Sequence, residues 1–165
     1  MLEKLRARMD RAEEGFTLIE LMVVVLIIAI LLAIAIPSFL GARAKAQDRA
    51  AQSNARNALT AEKTYYTDNQ VYTELPADMT AIEPSLTYVT GFAAAQGSKE
   101  VGIKKGDVAT PTAVVGAVTC LTTTSATGTV FVVKDVAAGA NAGTWFKKGA
   151  IAACDESTTG FTTKW

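Results

Sequence analysis

Glu20 is the residue whose position most demands a chemical explanation, because it stands at the entrance to Leu21–Ile36, an unbroken run of 16 apolar residues. A carboxylate beside an apolar helix is unfavourable unless it is neutralised, paired or held at the headgroup level, so an acid there is a functional candidate. The plainer reading is a side chain that snorkels to the headgroups. Cys120 and Cys154 are the only cysteines. In an oxidising compartment an even number favours a disulfide over two buried thiols, and nothing like Cys-x-x-Cys points to redox work. Histidine is absent, which removes His general-base chemistry, His-activated nucleophiles and His-containing zinc sites, while two cysteines cannot complete a four-ligand cluster. No glycine-rich phosphate loop or paired catalytic carboxylates stand out. No catalytic, cofactor-binding or metal-ligating residue is therefore expected. Lys+Arg and Asp+Glu are 16 each, and Lys104-Lys105 and Lys147-Lys148 read as solvated surface, so no specific nucleic acid is expected either.

The elements that must position Glu20 follow from hydropathy. Phe16 to Ile36 is 21 residues, about 31 Å as a helix, which is one bilayer crossing. The polar residues before it include Lys4, Arg6, Arg8 and Arg11, and the Lys/Arg rule keeps that end cytoplasmic and exports everything after Ile36. A signal peptide cut near Ala42-Arg43-Ala44 or Ala44-Lys45-Ala46 competes with a plain signal anchor. Neither accounts for Glu20.

The run Gly15-Phe16-Thr17-Leu18-Ile19-Glu20-Leu21-Met22-Val23-Val24-Val25 resembles the N-terminal motif of type IV prepilins, the class III signal, and the resemblance covers roughly residues 1–66. It implies cleavage by a prepilin peptidase after Gly15 and N-methylation of Phe16. The family's acidic assembly residue falls on Glu20, and its helix-breaking proline on Pro37. The leader here is long and carries Glu13 and Glu14 directly before the cut. Cleavage would create an ammonium at Phe16 one helical turn from Glu20. A neighbouring chain's Glu20 could pair with that ammonium and register two helices axially, since a buried ion pair fixes position better than it adds stability.

The organisation read from the chain is a leader over 1–15, a transmembrane or filament-core helix over 16–37, an amphipathic helix over 38–66 and a β-rich domain over 67–165. Ala51, Ala55, Ala58 and Leu59 share one helical face, which predicts packing against that domain. Pro37 removes the hydrogen bond to Ala33 and Gly41 follows one turn later, which predicts a kink or an extensible segment. Pro76 and Pro84 bracket a loop, and Thr90–Thr110 reads as another. Strands are expected at Leu86–Val89, Val114–Leu121, Gly128–Lys134, Gly143–Lys148 and Phe161–Trp165. The fold class is α+β: a long N-terminal α-helix, apolar first and amphipathic second, packed on a C-terminal antiparallel β-sheet, pilin-like. In pilins a disulfide bounds a loop near the C-terminus, which is where Cys120 and Cys154 fall.

What the resemblance implies is a structural filament subunit, not an enzyme. It forms a homopolymer, is handled by a prepilin peptidase, an assembly ATPase and inner-membrane platform proteins, and moves from the cytoplasmic membrane to a surface filament used for adhesion or motility. Two alternatives are a pseudopilin of a type II secretion or DNA-uptake system, and an exported binding protein or hydrolase with a borrowed leader.

Overall fold

The computed structural model describes residues 15–92, 97, 99–108 and 114–165. Apart from Gly15, the expected leader lies outside them. The chain divides into two compact units, Met1–Ala42 and Arg43–Trp165.

In the first unit the described residues are the start of α1, Leu18–Asn69, a helix of 52 residues that passes through Pro37 without a break. Its side chains from Leu18 to Leu40 are all exposed. They are apolar all round, so no stripe prefers one covering surface over another.

The second unit holds the rest of α1, a short helix α2 (Pro76–Ile82) and five strands: β1 (Thr87–Thr90), β2 (Glu100–Val108), β3 (Val114–Thr124), β4 (Val130–Val136) and β5 (Gly143–Lys148). The strands lie in the order β1-β2-β3-β4-β5. Ala55, Ala58, Leu59 and Ala61 pack on Val101, Ile103, Leu121 and Val133, so the α1 face expected from its spacing is the one that meets the sheet. Small residues there let the helix backbone approach closely, and the Thr123 hydroxyl donates to the Ala51 carbonyl at 3.0 Å. On the opposite sheet face Val108, Val118, Cys120 and Val136 form a second core, with Trp145, Ile151 and Cys154 against it. β3 is therefore covered on both faces, which is why it reads as a nearly continuous buried run.

Five expectations need correction. Thr90–Thr110 is not all loop, because it contains β2. The lysines and glycines of β2 mask its Val101 and Ile103, and Gly106 is required where the Cys154 carbonyl presses on the strand. The sheet is antiparallel except that β1 runs parallel to β2, with Thr87 opposite Glu100 and Thr90 opposite Ile103. Pro76–Pro84 is mostly helix: Pro76 sits in the first turn, where its missing N–H costs nothing, and Met79 is buried. Phe161–Trp165 is no strand. Only Thr162 pairs with Phe146, while Trp165 turns inward onto Phe131 and Phe146. The helix also runs three residues past Tyr66, to Asn69, and ends where Gln70 takes φ 56°.

Candidate functional site

Gly15 and Phe16 are exposed and lie in non-helical backbone immediately before α1. Phe16 is 88% exposed, and nothing lies within 4 Å of where a side chain on Gly15 would begin. This is the form in which a peptidase can draw a chain into its cleft, because helical backbone would first have to unwind.

Thr17 caps the start of the helix. Its side-chain oxygen receives the Glu20 backbone N–H at 3.3 Å, while Glu20 Oε2 accepts the Thr17 backbone N–H at 2.8 Å and the Thr17 hydroxyl at 2.7 Å. Threonine at the cap and glutamate at the third helical position form a reciprocal capping box, satisfying helix-start donors and placing a negative charge at the positive end of the helix dipole. Sequence reading singled out Glu20 but missed Thr17. The signal was present as Thr-x-x-Glu just ahead of an apolar run.

Pro37 and Gly41 both lie inside α1. A Cβ on Gly41 would meet nothing within 4 Å, so packing within the chain does not demand a glycine there. Cys120 and Cys154 are joined by a disulfide, with Cα atoms 5.8 Å apart. It ties the middle of β3 to the irregular C-terminal segment.

A second polar cluster lies between α1 and the sheet. Glu62 is fully buried and accepts the Thr73 N–H at 3.4 Å and the Thr119 hydroxyl at 3.3 Å. Burial pushes its carboxyl up to about 7, those two hydrogen bonds oppose the rise, and the nearby Asp78 adds to it. Asp135 accepts the Tyr72 hydroxyl at 2.5 Å and pairs with Lys63 at 3.0 Å. Burial and the Asp135 hydrogen bond raise the Tyr72 phenol above its ordinary value. Lys134, buried on the other sheet face, donates to the Ser157 carbonyl and lies 4.0 Å from the Phe161 ring centroid. Its ammonium is shifted down by burial. Glu62 stands four residues after Ala58, on the buried face of α1. The Glu62–Thr119 and Lys63–Asp135 contacts fasten α1 to the sheet, while Lys134 holds the C-terminal segment on the other face. Among the described residues no group of three or more acidic, cysteine or histidine side chains could hold a metal ion.

Residues 10–36 match the family model described as the prokaryotic N-terminal methylation motif. The chain is 38% identical over 96 residues to the type IV major pilin protein PilA of Myxococcus xanthus, covering 58% of this chain and 44% of that protein. It is 40% identical over 72 residues to the type IV wide pilus major component PilA4 of Thermus thermophilus, covering 44% of this chain and 55% of that one. The chain thus spans about half the length of the curated relatives it matches. No solved structure matches it significantly.

Proposed function

We propose that this chain is the structural subunit of a type IV pilus, polymerising through the apolar half of α1 after removal of a leader. The observation that carries this reading is a helix long and apolar enough to cross a membrane, its apolar half exposed on every side, that starts two residues after Phe16 inside a methylation motif. Such a surface is stable in only two surroundings, lipid or copies of itself. A subunit that inserts first and polymerises later uses both.

In this proposal a prepilin peptidase cuts the Gly15–Phe16 bond and methylates the Phe16 nitrogen. The capping box keeps Glu20 satisfied within its own chain while the subunit waits in the membrane. On assembly, the Phe16 ammonium of an incoming or neighbouring copy approaches Glu20, and the pair selects the axial position at which two smooth apolar helices stop sliding. Pro37 and Gly41 supply the place where α1 can yield as copies pack. The assembly ATPase and inner-membrane platform supply the work, and this chain acts as a scaffold without catalysis of its own.

Sequencing the N-terminus of filaments sheared from cells tests the reading. Methylated Phe16 as first residue is the expected result. A start after Ala44 or Ala46 would show that signal peptidase had removed the helix, and the filament reading would fall.

A further inference from the structure

Lys45, Arg49, Gln52 and Arg56 recur at i, i+4, i+7 and i+11 and so share one stripe of α1. At Gln52 and Arg56 that stripe borders β5 and the C-terminal segment. Gln52 lines a cleft of about 220 Å³ together with Phe146, Lys147, Lys148, Lys164 and Trp165, and the Arg56 guanidinium lies 5.4 Å from the Phe146 ring centroid. The Trp165 indole N–H is buried there without a hydrogen-bond partner. Asp48 adjoins the stripe in the helix, and its carboxylate already accepts the Thr127 hydroxyl at 2.7 Å and faces Lys148. The seam between α1 and β5 therefore presents cations and donors.

The opposite charge is gathered elsewhere. Between Lys63 and Lys99 the chain carries Asp68, Glu74, Asp78 and Glu83 and no lysine or arginine. Glu74 pairs with Lys104 at 3.4 Å, and Asp78 accepts the Thr73 hydroxyl at 2.8 Å. Asp68 is exposed in the last turn of α1, with no basic residue in that turn. A negative charge there opposes the helix dipole, so among the described residues nothing rewards its position.

We propose that the acidic end of one copy, residues 68–83, docks into the basic α1–β5 seam of the next copy. The inference rests on the filament reading and specifies how the exported domains contact one another. Arg49 and Asp68 stand 19 residues apart on one continuous helix, about 28 Å at helical rise, so the two patches cannot meet within a chain. Copies displaced along the helix axis bring them together. A contact between two different patches of the same protein, repeated with a translation along the helix axis, builds an open fibre rather than a closed ring. A free polyanion fits less well, because balanced charge leaves little long-range attraction to draw it in, whereas polymerisation through α1 holds the acidic partner at high effective concentration.

Arg49→Glu, Asp68→Arg, Lys148→Glu and the Arg49→Glu/Asp68→Arg double variant, each in the full-length chain produced with its export and assembly machinery, test the proposal. Sheared filament yield is the readout, and the oxidised Cys120–Cys154 pair in the cell-associated chain reports folding. Each single variant is expected to lose filaments by on the order of tenfold, since like charges would face each other across the contact. The double variant should recover to within about twofold of the unaltered chain. Single variants that assemble normally would overturn the proposal, as would a double variant no better than the singles. Normal filaments that instead lose retention of double-stranded DNA would also overturn it, assigning the seam to nucleic acid. If the unaltered chain itself forms no filament, the filament reading fails and this contact with it.

Discussion

Thr17 and Glu20 show how one carboxylate can serve two states. Within the chain Glu20 completes a capping box, and in the proposed fibre it meets a second copy's ammonium. Glu20→Ala should therefore leave leader removal and the exported domain intact but reduce filament yield at least tenfold on shearing, an effect on the order of a lost buried charge partner. Thr17→Val should have a smaller effect, because the carboxylate remains. Glu62 makes a different prediction. Its carboxyl is raised to about 7 in the folded chain, against an ordinary 4.5, so between those values the folded state holds a proton that the unfolded state has released. Stability from this group is fully present below pH 4.5 and is lost as pH rises through about 7, by on the order of 3 kcal/mol if the whole difference is expressed. Glu62→Gln should flatten the pH dependence of denaturant midpoints across that window, measured on the full chain in detergent micelles. An unchanged slope would place the titration elsewhere.

At the scale of elements, α1 illustrates two ways of using a helix. Its second half has one small-residue face, and that face is consumed by the sheet, whereas its first half has no face and remains exposed. The sheet is held differently at its two surfaces. Helix packing covers one, but the other is covered largely by irregular chain around Ile151 and Cys154, where backbone hydrogen bonding is sparse and a covalent tie matters most. The disulfide closes a separation of 34 residues, which on the chain-entropy model is worth about 3 to 4 kcal/mol. Cys154→Ser should lower the denaturant midpoint correspondingly and expose the C-terminal segment to proteolysis before β3 or β4. Equal protease resistance with and without the bond would show that Trp165 and the Phe146–Thr162 pairing suffice.

At the scale of the whole molecule, the exposed apolar half of α1 would decide where the proposed fibre grows or shrinks. Burial against other copies removes large side chains from water at about 1.5 to 3 kcal/mol each, tens of kcal/mol for Leu21–Ile36 as a set. Loss of a subunit into water should be negligible. Lipid tails are as apolar as leucine, so exchange between fibre and bilayer changes hydrophobic exposure little and is governed by packing and polar pairing. Detached filaments should accordingly release no detectable monomer on dilution in detergent-free buffer, as followed by sedimentation, and should release it when detergent is added. Monomer on simple dilution would mean that these residues do not form the fibre core.

Sequence alone determined the features whose causes are local. The apolar run, the Gly15–Phe16 motif, Glu20, the Ala51/Ala55/Ala58/Leu59 face and the candidacy of Cys120 and Cys154 are all readable from residue type and helical spacing. What the sequence could not decide depended on partners distant in the chain. β2 is a strand because β1 and β3 flank it, despite its lysines and glycines. β1 pairs in parallel with β2, an orientation that no local pattern encodes, and Trp165 leaves its expected strand because Phe131 and Phe146 offer it a surface. Glu62 became a buried acid only when the sheet arrived over its helical face. Periodicity identifies which side of an element is covered, but what covers it, and which polar groups are trapped beneath, is fixed by non-local packing.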